Sequence, residues 1–214
     1  MIVRPQVWAG MATLRERTQT RPAAVESLIG QVDRLILFPG EPDPARGDQL
    51  KLAACQDAPA GAVYCCVDDD IVYPPDYVAR LLAGLAAHPG CIVGFHGWMI
   101  GPDGRRGAGY PCLWDVPEDH QVDVIGTVCC AFCVDTIRPA PGDFPTHQAD
   151  VWLSALAERQ GVPRVVLAHE RGWLGYMAPP RTIWDETQAK TGSGLDTSVA
   201  TAAGCAAILA ERAA

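Results

Sequence analysis

The chain predicts an α/β fold with a mainly parallel central sheet flanked by helices. Apolar, strand-like runs alternate with segments of helical spacing. GAVYCCV (61–67) is an uninterrupted apolar run, as expected of a strand covered on both faces. The length, 214 residues, suits one well-packed core, and with no internal repeat or linker a single domain over 1–214 is expected.

The elements follow in order. QVWAGMAT (6–13) reads as a first strand. RPAAVESLIGQV places Val25, Leu28 and Ile29 at helical spacing, with Pro22 suited to a helix start. DRLILF is a second strand running into the turn-rich PGEPDPARG, and GDQLKLAACQ a short helix with Leu50 and Ala54 on one face. GAVYCCV is the third strand. PPDYVARLLAGLAAH carries the strongest helical pattern: Pro75 or Asp76 opens it, Val78, Leu81, Leu82 and Leu85 form an inward stripe, and Pro89-Gly90 ends it. CIVGFHGWMI is a fourth strand. GPDGRRGAGYPCLWDVPEDH then loosens the pattern as a long loop or irregular hairpin, so residues 100–121 are a candidate acceptor-facing loop. VDVIGTVCCAFCVDTI resumes as a strand, ADVWLSALAERQG is a helix and VPRVVLAHE a strand. The tail 181–214 is polar until Val199 and then reads as a short helix.

The formal net charge of −8 disfavours a protein that grips nucleic acid mainly through its backbone. Small basic clusters, Arg15, Arg17 and Arg21 and then Arg105 and Arg106, remain available to a phosphate-bearing ligand. No run approaches a membrane span, and MIVRPQVWAGMATLRER lacks the features of a secretory signal, so a cytoplasmic location is the expectation. The nine cysteines are odd in number. Cys65-Cys66 and Cys129-Cys130 lie inside strand-like runs, so buried thiols in a reducing compartment are expected rather than zinc or disulfides.

The chemistry concentrates in YCCVDDDIVYPPDY (64–77). In an extended backbone Asp68 and Asp70 point one way and Asp69 the other. Two carboxylates sharing a site need a cation, whether lysine, arginine or a divalent ion, and oxygen ligands suit magnesium or manganese. The carboxyl ends of strands are where open α/β sheets gather ligands. A charged turn capping the next helix is the alternative, and Asp76 reads as such a cap. Neither a P-loop nor a G-x-G-x-x-G fingerprint is present.

Taken with MATLRER, SLIGQVD and GDQLK, this stretch resembles the nucleotide-sugar-dependent glycosyltransferases of the GT-A fold, in their family-2-like branch, over about residues 5–175. The resemblance implies a GT-A-type sheet and transfer from a nucleoside-diphosphate sugar, a UDP-sugar first among them, with Mn²⁺ or Mg²⁺ as cofactor. It makes Asp70 the metal ligand, Asp68 a ribose or metal contact, and Asp69 part of the same motif. It sets Thr13 and Arg15 beside the nucleotide, and Asp48 and Lys51 in the donor pocket. Gly126 becomes a point of close approach for the donor sugar, and His169 a late metal ligand. Asp150 matches the catalytic base of inverting members, although Ala149 stands where a glutamate is usual. A helix-start aspartate, a surface lysine and a buried histidine are the bland readings of Asp150, Lys51 and His169. His96 reads as structural and His147 as an acceptor contact. Trp98, Trp114, Trp152 and Trp173 read as core or as a sugar-stacking platform. The acceptor stays open among a saccharide, a lipid-linked sugar, a small molecule and a modified DNA base. A nucleotidyltransferase and a non-catalytic nucleotide-sugar-binding protein are the rival classes.

Overall fold

The apolar run that ends in the aspartates lies in the middle of a seven-stranded sheet. The computed structural model describes residues 4–13, 17–39, 47–102, 106–140 and 149–178. Arg15, Arg105, His147 and the tail 181–214 lie outside the described residues. The elements are β1 (Val7–Thr13), α1 (Arg21–Leu28), β2 (Arg34–Pro39), a 3-10 helix (Gly47–Asp57), β3 (Val63–Asp68), β4 (Ile71–Val72), α2 (Tyr77–Ala87), β5 (Ile92–Gly94), β6 (Gly97–Ile100), β7 (Arg106–Tyr110), β8 (His120–Gln121), β9 (Val124–Ile125), β10 (Cys129–Cys133), α3 (Ala149–Arg159), β11 (Arg164–Val166) and β12 (Gly175–Tyr176).

The strand order is β2-β1-β3-β10-β5-β11-β8. Strands β2, β1, β3, β5 and β11 run one way, and β10 and β8 run against them. The fold is thus α/β with a mixed, mostly parallel sheet. Side-chain alternation along β3 sends Tyr64 and Cys66 into one core with the 3-10 helix and α3. Val63, Cys65 and Val67 enter the other core, with α1 and α2. Both faces are covered, which is why GAVYCCV is apolar throughout. Among the described residues no helix is long and apolar enough to cross a membrane.

Two expected strands are each broken in two. CIVGFHGWMI turns at Phe95–His96, so β5 stays in the main sheet while β6 joins β7 and β9 in a three-stranded sheet. The expected strand VDVIGTVCCAFCVDTI breaks at Gly126–Val128 into β9 and β10. Glycine permits both breaks: a Cβ on Gly97 would stand 2.7 Å from Val124 O and Val166 Cγ2, and one on Gly126 2.7 Å from the His96 ring. The irregular segment after β6 proves to be a hairpin, β7 pairing antiparallel with β6. Asp76 precedes α2 without capping it and instead accepts a hydrogen bond from Trp173 Nε1 at 3.1 Å.

One glycine decides where the 3-10 helix lies. Gly10, in the middle of β1, has no room for a Cβ, which would collide with the Lys51 carbonyl and the Tyr64 hydroxyl. That hydroxyl donates to Lys51 O at 2.6 Å, fastening the helix to the sheet. Gly10→Ala is expected to lower unfolding free energy by about 2–3 kcal/mol, since the obstacle is largely backbone and a packed core resists overfilling. Urea denaturation measures it, and a loss under about 0.5 kcal/mol, the range of an inert substitution, would show that the helix can slide.

Candidate functional site

At the end of β3 the three aspartates fan out to three different partners. The residues after Asp68 turn, so strand alternation does not continue through them. Asp68 forms an ion pair with Lys51, whose side chain is almost fully enclosed. Asp69 is buried and accepts a hydrogen bond from Thr13 Oγ1 at 2.5 Å. Asp70 faces Arg17, itself buried, at 3.5 Å. Lys51, Thr13 and Arg17 are what make three adjacent carboxylates tolerable.

The electrostatics follow from burial and mutual repulsion. Desolvation pushes Asp70 up to about 7, reinforced by the charges of Asp68 and Asp69 and opposed by Arg17 and Lys51. Asp69 is also raised by burial, against the Thr13 hydrogen bond. Asp68 is raised by burial and by Asp150 and Asp48, while Lys51 pulls it down. For Lys51, burial alone would favour the neutral amine. Asp68, Asp48 and Asp150 together outweigh it and hold the lysine charged.

The same lysine links the aspartate loop to the start of α3. Its Nζ lies 3.5 Å from Thr127 O. Thr127 in turn holds Asp150, its N–H at 2.7 Å and its Oγ1–H at 2.5 Å from Oδ1. Among the described residues the other carboxylate oxygen of Asp150 takes no hydrogen bond. Asp48 accepts the Ala149 N–H at 2.9 Å, capping α3 from a position 101 residues away. Tyr73 ties the strand ends together: its hydroxyl accepts from Asp68 N–H at 2.7 Å and donates to Val128 O at 2.9 Å. From the other side, Met177 N–H donates to Asp70 O at 2.8 Å.

The structure therefore brings Asp48, Lys51, Asp68 and Asp150 together and gives several expected site residues other work. Thr13 and Asp69 are buried against each other, which suits fixing the loop and not touching a ligand. Gly126 is small because the His96 ring occupies the space above it. His169 is buried, with Nδ1 2.7 Å from Leu167 O and Nε2 3.2 Å from Pro111 O. Each ring nitrogen thus already faces a backbone carbonyl, an arrangement that holds the ring in place between β11 and the turn after β7. Of the tryptophans, Trp152 is core and Trp173 lies under the Arg80 guanidinium, while Trp114 is exposed. Trp98 carries the Arg106 guanidinium 4.4 Å above its ring. Burial lowers the Arg106 pKa and the charge of Asp150 opposes that shift, which places this arginine within the field of the α3 carboxylate.

Sequence reasoning missed Thr127, Tyr73 and the pairing of Arg17 with Asp70. The Gly126-Thr127 dipeptide between two apolar runs is a turn signal that marks where Thr127 leaves the strand. Nothing local marks the other two.

Among the described residues no three of His, Cys, Asp and Glu converge on a ready-made metal site. The donor set still fits magnesium or manganese of the kind held by one or two carboxylates and completed by water and substrate phosphate. Burial and the neighbouring carboxylates outweigh Arg17 and Lys51 at Asp70, an imbalance that a divalent cation would relieve. Asp68 has its Oδ1 committed to Lys51. No protein-family model matches the chain, and no curated protein matches it.

Proposed function

We propose that the chain is a metal-dependent glycosyltransferase of GT-A type that moves a sugar from a nucleoside-diphosphate sugar to an acceptor hydroxyl, with inversion. One observation carries this reading. The aspartate loop at the carboxyl ends of parallel β1 and β3 is joined through Lys51 and Thr127 to Asp150, 82 residues later. An acidic strand end beside a positioned carboxylate is what donor activation and proton removal require.

Asp70 would hold the metal, which supplies neutralisation of the charge growing on the leaving diphosphate. Asp150 takes the acceptor proton on the oxygen not held by Thr127. Thr127 restrains the carboxylate so that it meets the hydroxyl in one orientation. Lys51 keeps Asp68 ionised and fixed near the donor. Arg106, stacked on Trp98 and within the field of Asp150, would be the cation that an acceptor passes.

The test is incubation with Mn²⁺ and a panel of UDP-, GDP- and TDP-sugars. Release of free nucleoside diphosphate is the expected result. Asp150→Asn should lower that release by about 10²–10⁴-fold, the usual worth of a general base, with donor affinity by calorimetry unchanged. Pyrophosphate as the product would make the chain a nucleotidyltransferase. Donor binding without turnover would make it a binding protein. An undiminished Asp150→Asn would remove the base from this site.

A further inference from the structure

We infer that Arg106 binds an oxyanion of the acceptor, a phosphate or a carboxylate, and so turns an acceptor hydroxyl toward Asp150. The inference rests on the sugar-transfer reading above and narrows the acceptor class that reading leaves open.

A bulge aims this side chain. Strand β7 pairs with β6 as Gly97 to Tyr110 and Trp98 to Gly109, and an unbroken ladder would set Gly107 opposite Ile100. The register shifts between Trp98 and Ile100, so that Ile100 faces Arg106 instead. Side chains alternate along a strand, and one extra residue reverses the count. The bulge therefore moves Arg106 onto the face of the hairpin that carries Trp98. There its guanidinium lies 4.4 Å from the centre of the Trp98 ring. Between Arg106 and Tyr110 the strand reads Gly-Ala-Gly, all exposed. Along β7 nothing larger than a methyl group stands between the guanidinium and Tyr110.

The contacts beneath Arg106 lead to the proposed base. Trp98 stands edge-on to the His96 ring, the two centroids 6.0 Å apart. The His96 ring closes over Gly126, whose N–H donates to His96 O at 2.7 Å. Thr127, next in the chain, holds Asp150 with two hydrogen bonds. Arg106, Trp98, His96 and Gly126-Thr127 thus form one column that ends on Asp150. Burial and, against it, the charge of Asp150 both act on the guanidinium, yet the two side chains form no ion pair.

The missing partner points to a ligand. The chain has 25 acidic residues against 17 lysines and arginines, and Arg4, Arg17, Arg80 and Arg164 each face a carboxylate. Among the described residues Arg106 has neither an ion pair nor a side-chain hydrogen bond. Stacking fixes the plane of a guanidinium and leaves its N–H edge free. That planar fork of donors matches two oxygens of a phosphate or carboxylate. In the transfer the acceptor oxygen bonds to the anomeric carbon while the bond from that carbon to the diphosphate breaks with its electron pair. The hydroxyl proton passes to Asp150, and the anion on Arg106 is unchanged. Arg34 supplies a control: it stacks on Trp8 at the same 4.4 Å, at the opposite end of the strands from the aspartates.

Glucose, glucose 6-phosphate and glucuronate serve as probes, offered as acceptors with Mn²⁺ and UDP-, GDP- and TDP-sugars, and separately as ligands in calorimetry. One anionic probe should exceed glucose in kcat/KM by roughly 10- to 100-fold, the worth of a hydrogen bond to a charged group, with the gain in KM. Which anion wins separates phosphate from carboxylate. Arg106→Met should erase the preference, with turnover of glucose and affinity for UDP with Mn²⁺ unchanged. Arg106→Lys, which keeps the charge and loses the fork, should retain part of it, and Arg34→Met all of it. Equal use of glucose and both anions would overturn the proposal, as would a preference that survives Arg106→Met or vanishes equally in Arg34→Met. If no donor releases nucleoside diphosphate, the sugar-transfer reading fails on its own and calorimetry decides the anion site. Tighter binding of an anionic probe than of glucose, lost in Arg106→Met, upholds it; equal binding overturns it.

Discussion

Lys51→Met will destabilise the protein by about 3 kcal/mol at pH 8, although methionine fills the same space. The Lys51 side chain is 3 % exposed and its Asp68 partner 33 % exposed. Removing one member of a buried ion pair leaves the other uncompensated, at a cost of about 3–5 kcal/mol; the partial exposure of Asp68 favours the low end. The loss is amplified because Asp48 and Asp150 also rely on the same ammonium. Without Lys51 the folded-state pKa of Asp68 rises further above its unfolded value near 3.9. A raised carboxyl pKa costs stability only at pH values above the unfolded pKa, so the deficit must shrink as the pH falls toward 4. Urea unfolding at pH 4, 6 and 8 reads both the size and the slope. Adding Asp68→Asn to Lys51→Met should restore a large part of the loss, because the stranded charge goes with it. A single variant as stable as wild type at pH 8, or a double variant no better than the single, would mean that Lys51 is not the hub of this cluster.

That hub was legible in part, for definable reasons. The covered strand GAVYCCV and the helix stripe at Val78 and Leu81 are local, periodic patterns, and both appear as expected. So does the position of the aspartates at a strand end. The pairings are another matter. Asp68 with Lys51, Asp70 with Arg17, and Asp150 with Thr127 join residues 17, 53 and 23 apart in the chain, and single polar residues at those separations carry no period. Alternation also failed beyond Asp68 because it is a property of extended backbone, and the backbone turns there. The broken strands are marked by glycines inside runs expected to be continuous, although Gly126 is also the expected point of close approach for a donor sugar. Gly97 and Gly126 each stand where a Cβ would strike a neighbour, and a glycine inside an apolar run is a signal of close approach. The expected strand VPRVVLAHE stops at Val166, and His169 forms an isolated bridge with Val116 beyond it; its two carbonyl partners, Leu167 and Pro111, become visible only in three dimensions.

Asp70→Asn, by contrast, should make the protein more stable, by an amount that grows as the pH rises from about 4 to about 7. The folded pKa of about 7 lies roughly three units above the unfolded value near 3.9. Below about pH 4 both states hold the proton and Asp70 costs nothing. As the pH rises through that window the unfolded chain releases its proton first, and stability falls by about 1.4 kcal/mol per unit until the folded carboxyl also ionises near 7. The full difference, about 4 kcal/mol, is an upper limit for what asparagine recovers. Arg17 loses a charged partner at 3.5 Å, although Asp69 still acts on it. The expected net gain is about 2 kcal/mol at pH 8 and none at pH 4. Equal stabilisation at both pH values would show that the gain came from packing, and destabilisation at pH 8 would show that Arg17 dominates the site. Under the proposed function, that cost would be offset by the metal and donor phosphates that Asp70 would bind. The same substitution should abolish the heat of binding of UDP with Mn²⁺. Stability gained and ligand lost in one variant would place the cost and the use of Asp70 on the same oxygen atoms.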